Sequence, residues 1–215
     1  MTLHVGSDNI TDIRKGSTKI DKVYHGSDLV WGYPSGKVLF ESSTEGTYQL
    51  NIKFRCKLQI QLVGAGSGGS SAWWDPGSVA SGGGSGSYVY GTLEVNAGTY
   101  NVVVGKGGAK GNRVYGAGAS YGSAGGESSA FGQIAGGGGQ SKSQYNSYYG
   151  GSGGIASTTL SYTNGNSGTV GGPQYGGEAS GAGGDSVYSG YGKGGRGYAD
   201  SNENGTNGYV KIVAV

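Results

Sequence analysis

All but eight of the chain's 51 glycines lie between residues 64 and 197; the exceptions are Gly6, Gly16, Gly26, Gly32, Gly36, Gly46, Gly205 and Gly208. A stretch this poor in side chains cannot build an ordinary packed interior, and glycine loses more backbone freedom on ordering than any other residue. Whatever orders residues 64–197 must come from the backbone. Many of these glycines recur at every third position: Gly105/Gly108/Gly111, Gly122/Gly125, Gly150/Gly153, Gly151/Gly154, Gly165/Gly168/Gly171, Gly181/Gly184 and Gly192/Gly195. A left-handed helix of the polyproline-II type has three residues per turn and rises about 3.1 Å per residue, so this spacing gives each helix a bare edge. Bare edges let neighbours approach until amides reach carbonyls and Cα–H groups touch them, which offsets the ordering cost. The spacing therefore predicts a bundle of polyglycine-II helices in preference to a flexible Gly/Ser linker. Collagen shares the period, but here the period is not strict, the runs are short and the chain has only 3 prolines.

Outside the glycine runs the sequence reads as strands. "KVLFES", "GTYQLNIKF", "CKLQIQLVGAG", "GSYVYGTLEV", "AGTYNVVVGKGG", "SSAFGQIAGGGG" and "NGYVKIVAV" alternate with period two and are rich in Tyr, Val, Ile and Leu. Seven such segments predict an antiparallel β-sandwich over residues 36–215. Because the last strand is C-terminal, the glycine-rich runs, about 64–86, 105–128 and 136–205, must be inserted between strands. Residues 1–35 carry a ten-residue echo, Gly6-Ser7-Asp8, Gly16-Ser17-Thr18 and Gly26-Ser27-Asp28, separating short alternating runs. They predict a small β-meander that leans on a neighbour or, as a homo-oligomer, on copies of itself.

"LVGAGSGG" contains Gly64-x-Gly66-x-x-Gly69 after a strand-like run, the spacing of a dinucleotide fingerprint. That fingerprint needs a helix to follow its third glycine. Here "SSAWWDPGSVASGGGSGS" follows, with Pro76 and no 3.6-residue period, so the reading fails. A Gly-x-x-x-x-Gly-Lys-Ser/Thr loop is absent. The net charge of +2 gives no basic field for nucleic acid. No apolar run approaches the ~18 residues of a membrane span, and the start lacks the basic and apolar regions of an export signal. Cys56, the single cysteine, reads as a small residue packed in a strand. His4 and His25 lack Ser or Asp partners in a catalytic pattern, and no cofactor is expected. Asp75 and Asp185 are the carboxylates with which a glycosidase reading would have to begin. Flat faces on a polyglycine-II bundle would also admit an ice-binding reading, against which the bulky interruptions and the large sandwich argue.

Bulky residues interrupt the glycine runs at discrete places: Trp73, Trp74, Arg113, Tyr115, Tyr121, Tyr145, Tyr148, Tyr149, Leu160, Tyr162, Tyr175, Tyr188 and Tyr191. If the runs are rods of similar length, these interruptions fall at the turns and form an aromatic, Ser/Asn-rich face at one end. Tyr and Trp give contact area at low entropic cost, and Ser, Asn and Gly give adaptable hydrogen bonds. The aromatic residues of this set, with Arg113, are the candidate binding residues. Tyr24, Trp31, Tyr33, Tyr88, Tyr90, Tyr100 and Tyr209 occupy strand contexts and read as core or cross-strand partners.

The pattern "LQIQLVGAGSGG…YVYGTLEVNAGTYNVVVGKGG…SSAFGQIAGGGG…GYVKIVAV", over roughly 55–215, resembles glycine-rich domains in which a jelly-roll-like sandwich throws out polyglycine-II helices. Such domains occur in the extracellular part of the anaplastic lymphoma kinase family and in adhesins at the tips of bacteriophage long tail fibres. The opening "IRKGSTKIDKVYHGSDLVWGY" resembles small modules attached to phage and prophage tail proteins, which favours the phage setting. The resemblance implies a non-enzymatic adhesin of the virion, recognising a bacterial surface protein or glycan and joined to other tail-fibre proteins through residues 1–35. A structural tail component without host contact is the alternative.

Overall fold

The computed structural model describes residues 4–5, 8–9, 13–20, 22–25, 28–71, 79–112, 120–144, 147–171, 181–198 and 202–215. Among them are strands and no helix. Near the N-terminus β1 (His4–Val5) pairs with β2 (Asp8–Asn9), β3 (Ile13–Lys15) with β4 (Thr18–Ile20), and β5 (Val23–His25) with β6 (Asp28–Trp31). The ten-residue echo therefore marks three separate hairpins rather than one meander. Each pair is only two to four residues long and forms a separate two-stranded sheet.

The next strands are β7 (Val38–Ser42), β8 (Gly46–Ile52), β9 (Cys56–Val63), β10 (Tyr88–Val95) and β11 (Gly98–Val104). They are followed by β12 (Ser120–Gly122), β13 (Ser128–Ala130), β14 (Gln133–Ala135), β15 (Ser141–Ser143), β16 (Ala156–Ser157), β17 (Ser161–Thr163) and β18 (Tyr209–Ala214). Two five-stranded antiparallel sheets result, in the orders β17-β10-β9-β18-β7 and β16-β14-β13-β11-β8, with no closed barrel. Alternation decides what each face does. In β9, Leu58, Ile60 and Leu62 are buried while Lys57 and Gln59 are exposed. Inward residues of both sheets, among them Ile60, Val89 and Ile212 from one and Ile52, Val102 and Val104 from the other, join one cluster, consistent with a β-sandwich. Each such side chain contributes about 1.5–3 kcal/mol on burial. Cys56 packs in this cluster as a small apolar residue.

Two strand readings change. "SSAFGQIAG" is a hairpin, β13–β14, because Phe131 (φ 51°) and Gly132 (φ 75°) turn the chain between Ala130 and Gln133. The segment around Tyr162 adds β17 to the edge of a sheet instead of closing a rod. At the end nearest the N-terminal hairpins Trp31 and Tyr33 pack on Phe54, with ring centroids 4.6 and 5.4 Å apart.

From the opposite end of the sandwich the chain leaves after β9, β11, β14 and β17 and returns into β10, β13, β16 and β18. These excursions contain ten extended glycine-rich segments, here called rods: 64–71, 79–87, 105–112, 120–127, 136–144, 147–155, 164–171, 181–186, 192–198 and 202–208. In the 64–71 rod, successive amides donate to three different neighbours in rotation. Gly64, Ser67 and Ser70 reach the carbonyls of Ser87, Gly84 and Ser81; Ala65 and Gly68 reach Gly126 and Ser123; Gly66 and Gly69 reach Thr206 and Glu203, all at 2.9–3.0 Å. Its carbonyls accept from three further rods, through Gly108 and Gly111, Gly138, and Gly195. The rod thus has six neighbours. The 79–87 rod does too, and the remaining eight rods ring this pair. Every residue of 64–71 and 79–87 is buried.

Such packing leaves no room for a side chain on the inner edges. A Cβ on Gly66 would lie 1.9 Å from the Lys193 carbonyl oxygen, and one on Gly84 would lie 1.8 Å from that of Ser152. Some buried amides are met by a serine Oγ instead of a carbonyl: Gly84 by Ser67 at 2.8 Å, Ser81 by Ser70 at 3.1 Å, Asn166 by Ser85 at 2.7 Å and Ser71 by Ser120 at 2.9 Å. At the rim, Thr206 Oγ1 accepts from Lys193 at 2.7 Å, and Asn204 and Asn207 Oδ1 accept from Lys110 and Gly107 at 2.8 Å.

Urea unfolding of three variants tests this packing. Gly66→Ala is expected to lose about 3 kcal/mol through overpacking against backbone that cannot yield. Ser67→Ala is expected to lose about 1–3 kcal/mol by stranding the buried Gly84 amide. Ser123→Ala, on an exposed edge of the bundle, should stay within about 0.5 kcal/mol of the wild type.

Candidate functional site

Eight of the ten rods start or end at a strand end, and the other two, 181–186 and 192–198, are joined by a turn beside the sandwich, so the bundle has a near end against the sandwich and a far end. The far end is fixed by a common level of contacts: Ser70 to Ser81, Gly111 to Gly69, Gly171 to Ala80, Gly181 to Gly197 and Lys142 to Tyr149. Among the described residues, three candidate tyrosines belong to this end. Tyr121, Tyr148 and Tyr149 are 44, 43 and 45 % exposed, far more than a packed core tyrosine would be. Lys142 ties Tyr121 and Tyr149 together. Its backbone pairs with Tyr149 at 3.0 and 3.1 Å, its Nζ lies 5.9 Å from the Tyr121 ring centroid, and the same Nζ donates to Ser147 Oγ at 2.9 Å. A cation over an aromatic face holds the ring in place while leaving its other face to solvent.

Trp73, Trp74, Arg113, Tyr115, Tyr145 and Tyr175 lie outside the described residues, as does Asp75. The described residues that flank them in sequence, Ser71, Val79, Asn112, Ser120, Gln144, Ser147, Gly171 and Gly181, all end rods at this same face.

The remaining candidates are elsewhere. Tyr162 sits in β17, opposite Val89 of β10, and belongs to the sandwich. Tyr188 and Tyr191 form a tight turn at the near end, where the Tyr191 amide donates to the Tyr188 carbonyl at 3.0 Å and Ser186 Oγ caps both strands of the turn. This turn folds onto the outer face of the first sheet. There Tyr90, Tyr88, Tyr188, Tyr209 and Tyr191 stack in series, with centroid separations of 5.2, 4.6, 5.9 and 4.5 Å. Tyr188 donates its hydroxyl to Gln61 Oε1 at 3.0 Å, and Tyr209 donates to Glu41 Oε1 at 2.6 Å. The expectation that all interruptions share one face is therefore corrected: Tyr162, Tyr188 and Tyr191 are not part of the far end. The ladder also refines the strand tyrosines, because Tyr209 is buried whereas Tyr90 is 45 % exposed. A count of rods would have found this. The insert from 164 to 208 holds four described rods, and the connection between the second and the third must lie beside the sandwich.

The ladder perturbs its own titration. Burial, and then the neighbouring Tyr188 and Tyr90, push the Tyr88 hydroxyl up to about 12. Burial followed by the hydrogen bond to Glu41 also raises Tyr209, and the same bond, with Lys211 beside it, holds Glu41 below the usual carboxylate range.

Residues 42–211 match the sequence model of a family described as a glycine-rich domain. No curated protein matches the chain.

Because the folded Tyr88 titrates above the ordinary value of 10.0, its neutral form is the one the fold favours. Its contribution to stability is complete below pH 10 and is lost as pH rises through about 12. Alkaline unfolding followed by circular dichroism should show a decline across that window, and Tyr88→Phe should flatten part of it.

Proposed function

The chain belongs to the glycine-rich domain family, and from that premise we propose a non-enzymatic adhesin at the tip of a bacteriophage tail fibre. In this reading the rods are polyglycine-II helices inserted in a jelly-roll-like sandwich, residues 1–35 join the chain to other fibre proteins, and the far end of the bundle contacts the host. Three-residue rotation of the amides around the 64–71 rod supports the helix type, since a three-fold screw sends each successive amide 120° around the axis. Four places where the chain changes sheet, between β7 and β8, β8 and β9, β10 and β11, and β16 and β17, support the jelly-roll-like course.

The observation that carries the functional reading is the far end itself. Rod ends from every excursion gather there, and its described aromatics are exposed on a frame whose interior is backbone hydrogen-bonded in six directions. Connections between such rods can change sequence without touching the lattice that holds them, which suits a surface that must follow a variable receptor. Of the candidate binding residues, Tyr121, Tyr148 and Tyr149 are the described ones at this surface. Trp31 and Tyr33 pack at the other end of the sandwich, which supports a reading in which attachment and recognition use opposite ends of the molecule. The receptor is a protein or glycan of a bacterial surface.

The test is binding of the fluorescently labelled chain to intact cells of a bacterial panel. Strain-selective binding is expected. The variant Trp73→Ala, Trp74→Ala, Tyr148→Ala, Tyr149→Ala, with an unchanged circular dichroism spectrum, should bind at least tenfold more weakly, and Tyr162→Ala should bind like the wild type. Binding to no strain, or equal binding by both proteins, would move the assignment to a structural tail component.

A further inference from the structure

The hairpin β13–β14 is short. It pairs with β11 only at Val102 and Val103, so among the described residues the stretch Gly98–Asn101 of β11 has no neighbour on that side. The edge of the sandwich is open there. A cleft of about 410 Å³ results, within the range of small-ligand sites. Its floor includes Leu93 of β10, and its walls are the rings of Tyr100 and Phe131, set at 66° with centroids 5.0 Å apart. Glu94, Asn96 and Asn101 stand at its rim.

Two features separate this cleft from a gap left by a short hairpin. The first is Phe131. A two-residue hairpin turn with both φ positive is the preferred place of Asn-Gly, and a bulky side chain in the left-handed region is strained. Here Phe131 occupies the first position at φ 51°, which aims an aromatic ring at Tyr100 at the expense of the turn. Strain of this kind persists where the surroundings use it. The second is the fixing of the walls and rim. Tyr100 donates its hydroxyl to the Asn96 carbonyl at 3.0 Å, Gln49 Nε2 donates to Asn101 Oδ1 at 2.6 Å, and Glu94 is ion-paired with Arg55.

We infer that this cleft is a subsite for a neutral pyranose ring, separate from the far end of the bundle. The chemistry selects that class. Perpendicular aromatic faces accept the C–H face of a sugar, and planar amides and a carboxylate at the rim pair with ring hydroxyls. The Arg55–Glu94 pair cancels the local charge, so neither an anionic nor a cationic ligand is favoured. An open, half-polar mouth suits one residue of a surface glycan better than a buried apolar molecule.

The experiment is an amide and side-chain NMR titration of the full chain with methyl glucoside, methyl galactoside, methyl mannoside and N-acetylglucosamine at millimolar concentration. At least one sugar is expected to shift Asn96, Tyr100, Asn101 and Gly132 together. Asn101→Ala, at an exposed position, should fold normally and weaken that response at least fivefold. Phe131→Asn, which removes the second ring and leaves a residue suited to the turn, should abolish it with an unchanged circular dichroism spectrum. The far-end variant with four alanines should keep the response, which makes failure here distinguishable from failure of the adhesin reading. No cleft shift with any of the four sugars, or shifts that survive both substitutions, would overturn the inference.

Discussion

The amide-to-carbonyl hydrogen bond between two backbones that lack intervening Cβ atoms is the interaction on which this molecule rests. One such bond contributes only about 0.5–1.5 kcal/mol net, while fixing one residue's backbone costs about 1–2 kcal/mol. A single rod, or a pair, cannot stay ordered on those terms. The 64–71 and 79–87 rods escape because each is surrounded by six others, so that donors and acceptors are used in every direction and the rod is removed from water along its whole length. The bundle is therefore cooperative, and the sandwich acts as its template. Three of the four excursions start and finish on neighbouring strands, β9 and β10, β11 and β13, and β14 and β16, which sets their rods side by side, while the fourth spans from β17 to β18 across β10 and β9.

This lattice dictates where chemistry can reside. Side chains are excluded from inner edges, tolerated as serine where an amide needs an oxygen, and free to vary at the rim and the rod ends. The near end is consumed by contact with the sandwich, where the tyrosine ladder clamps the turn at Tyr188 and Tyr191 onto β10 and β18. Among the described residues of the bundle, the far end combines exposed aromatics with a rigid base. The packing rule is thus the physical basis for proposing the far end as the recognition face.

Much of this was readable in residue order. Gly105, Gly108 and Gly111, or Gly165, Gly168 and Gly171, announce their period directly, because a missing Cβ is a property of the residue and not of its partners. Alternation in "CKLQIQLV" likewise shows the buried face of β9. Ser67 and Ser85 were unreadable, since nothing in a Gly/Ser run separates a serine that meets an amide of another rod, 17 and 81 residues away here, from one in a loop. The β13–β14 hairpin was hidden because Phe131 breaks the usual turn chemistry, and a strand pattern ran through it. Tyr188 and Tyr191 resemble Tyr148 and Tyr149 in local sequence, and only the number of rods in the last insert tells near turns from far ones. Local signals identify elements here, and long-range pairing decides which end of the molecule they occupy.

Hydrogen exchange of the native chain tests the central claim that two side-chain-poor rods form a second core. The amides of 64–71 and 79–87 are expected to exchange as slowly as those of β9 and β18, although they contain almost no apolar side chains. Exchange at the rate of an unstructured chain in these two segments, with β9 and β18 still protected, would contradict the account and leave the glycine-rich inserts as linkers on an independent sandwich.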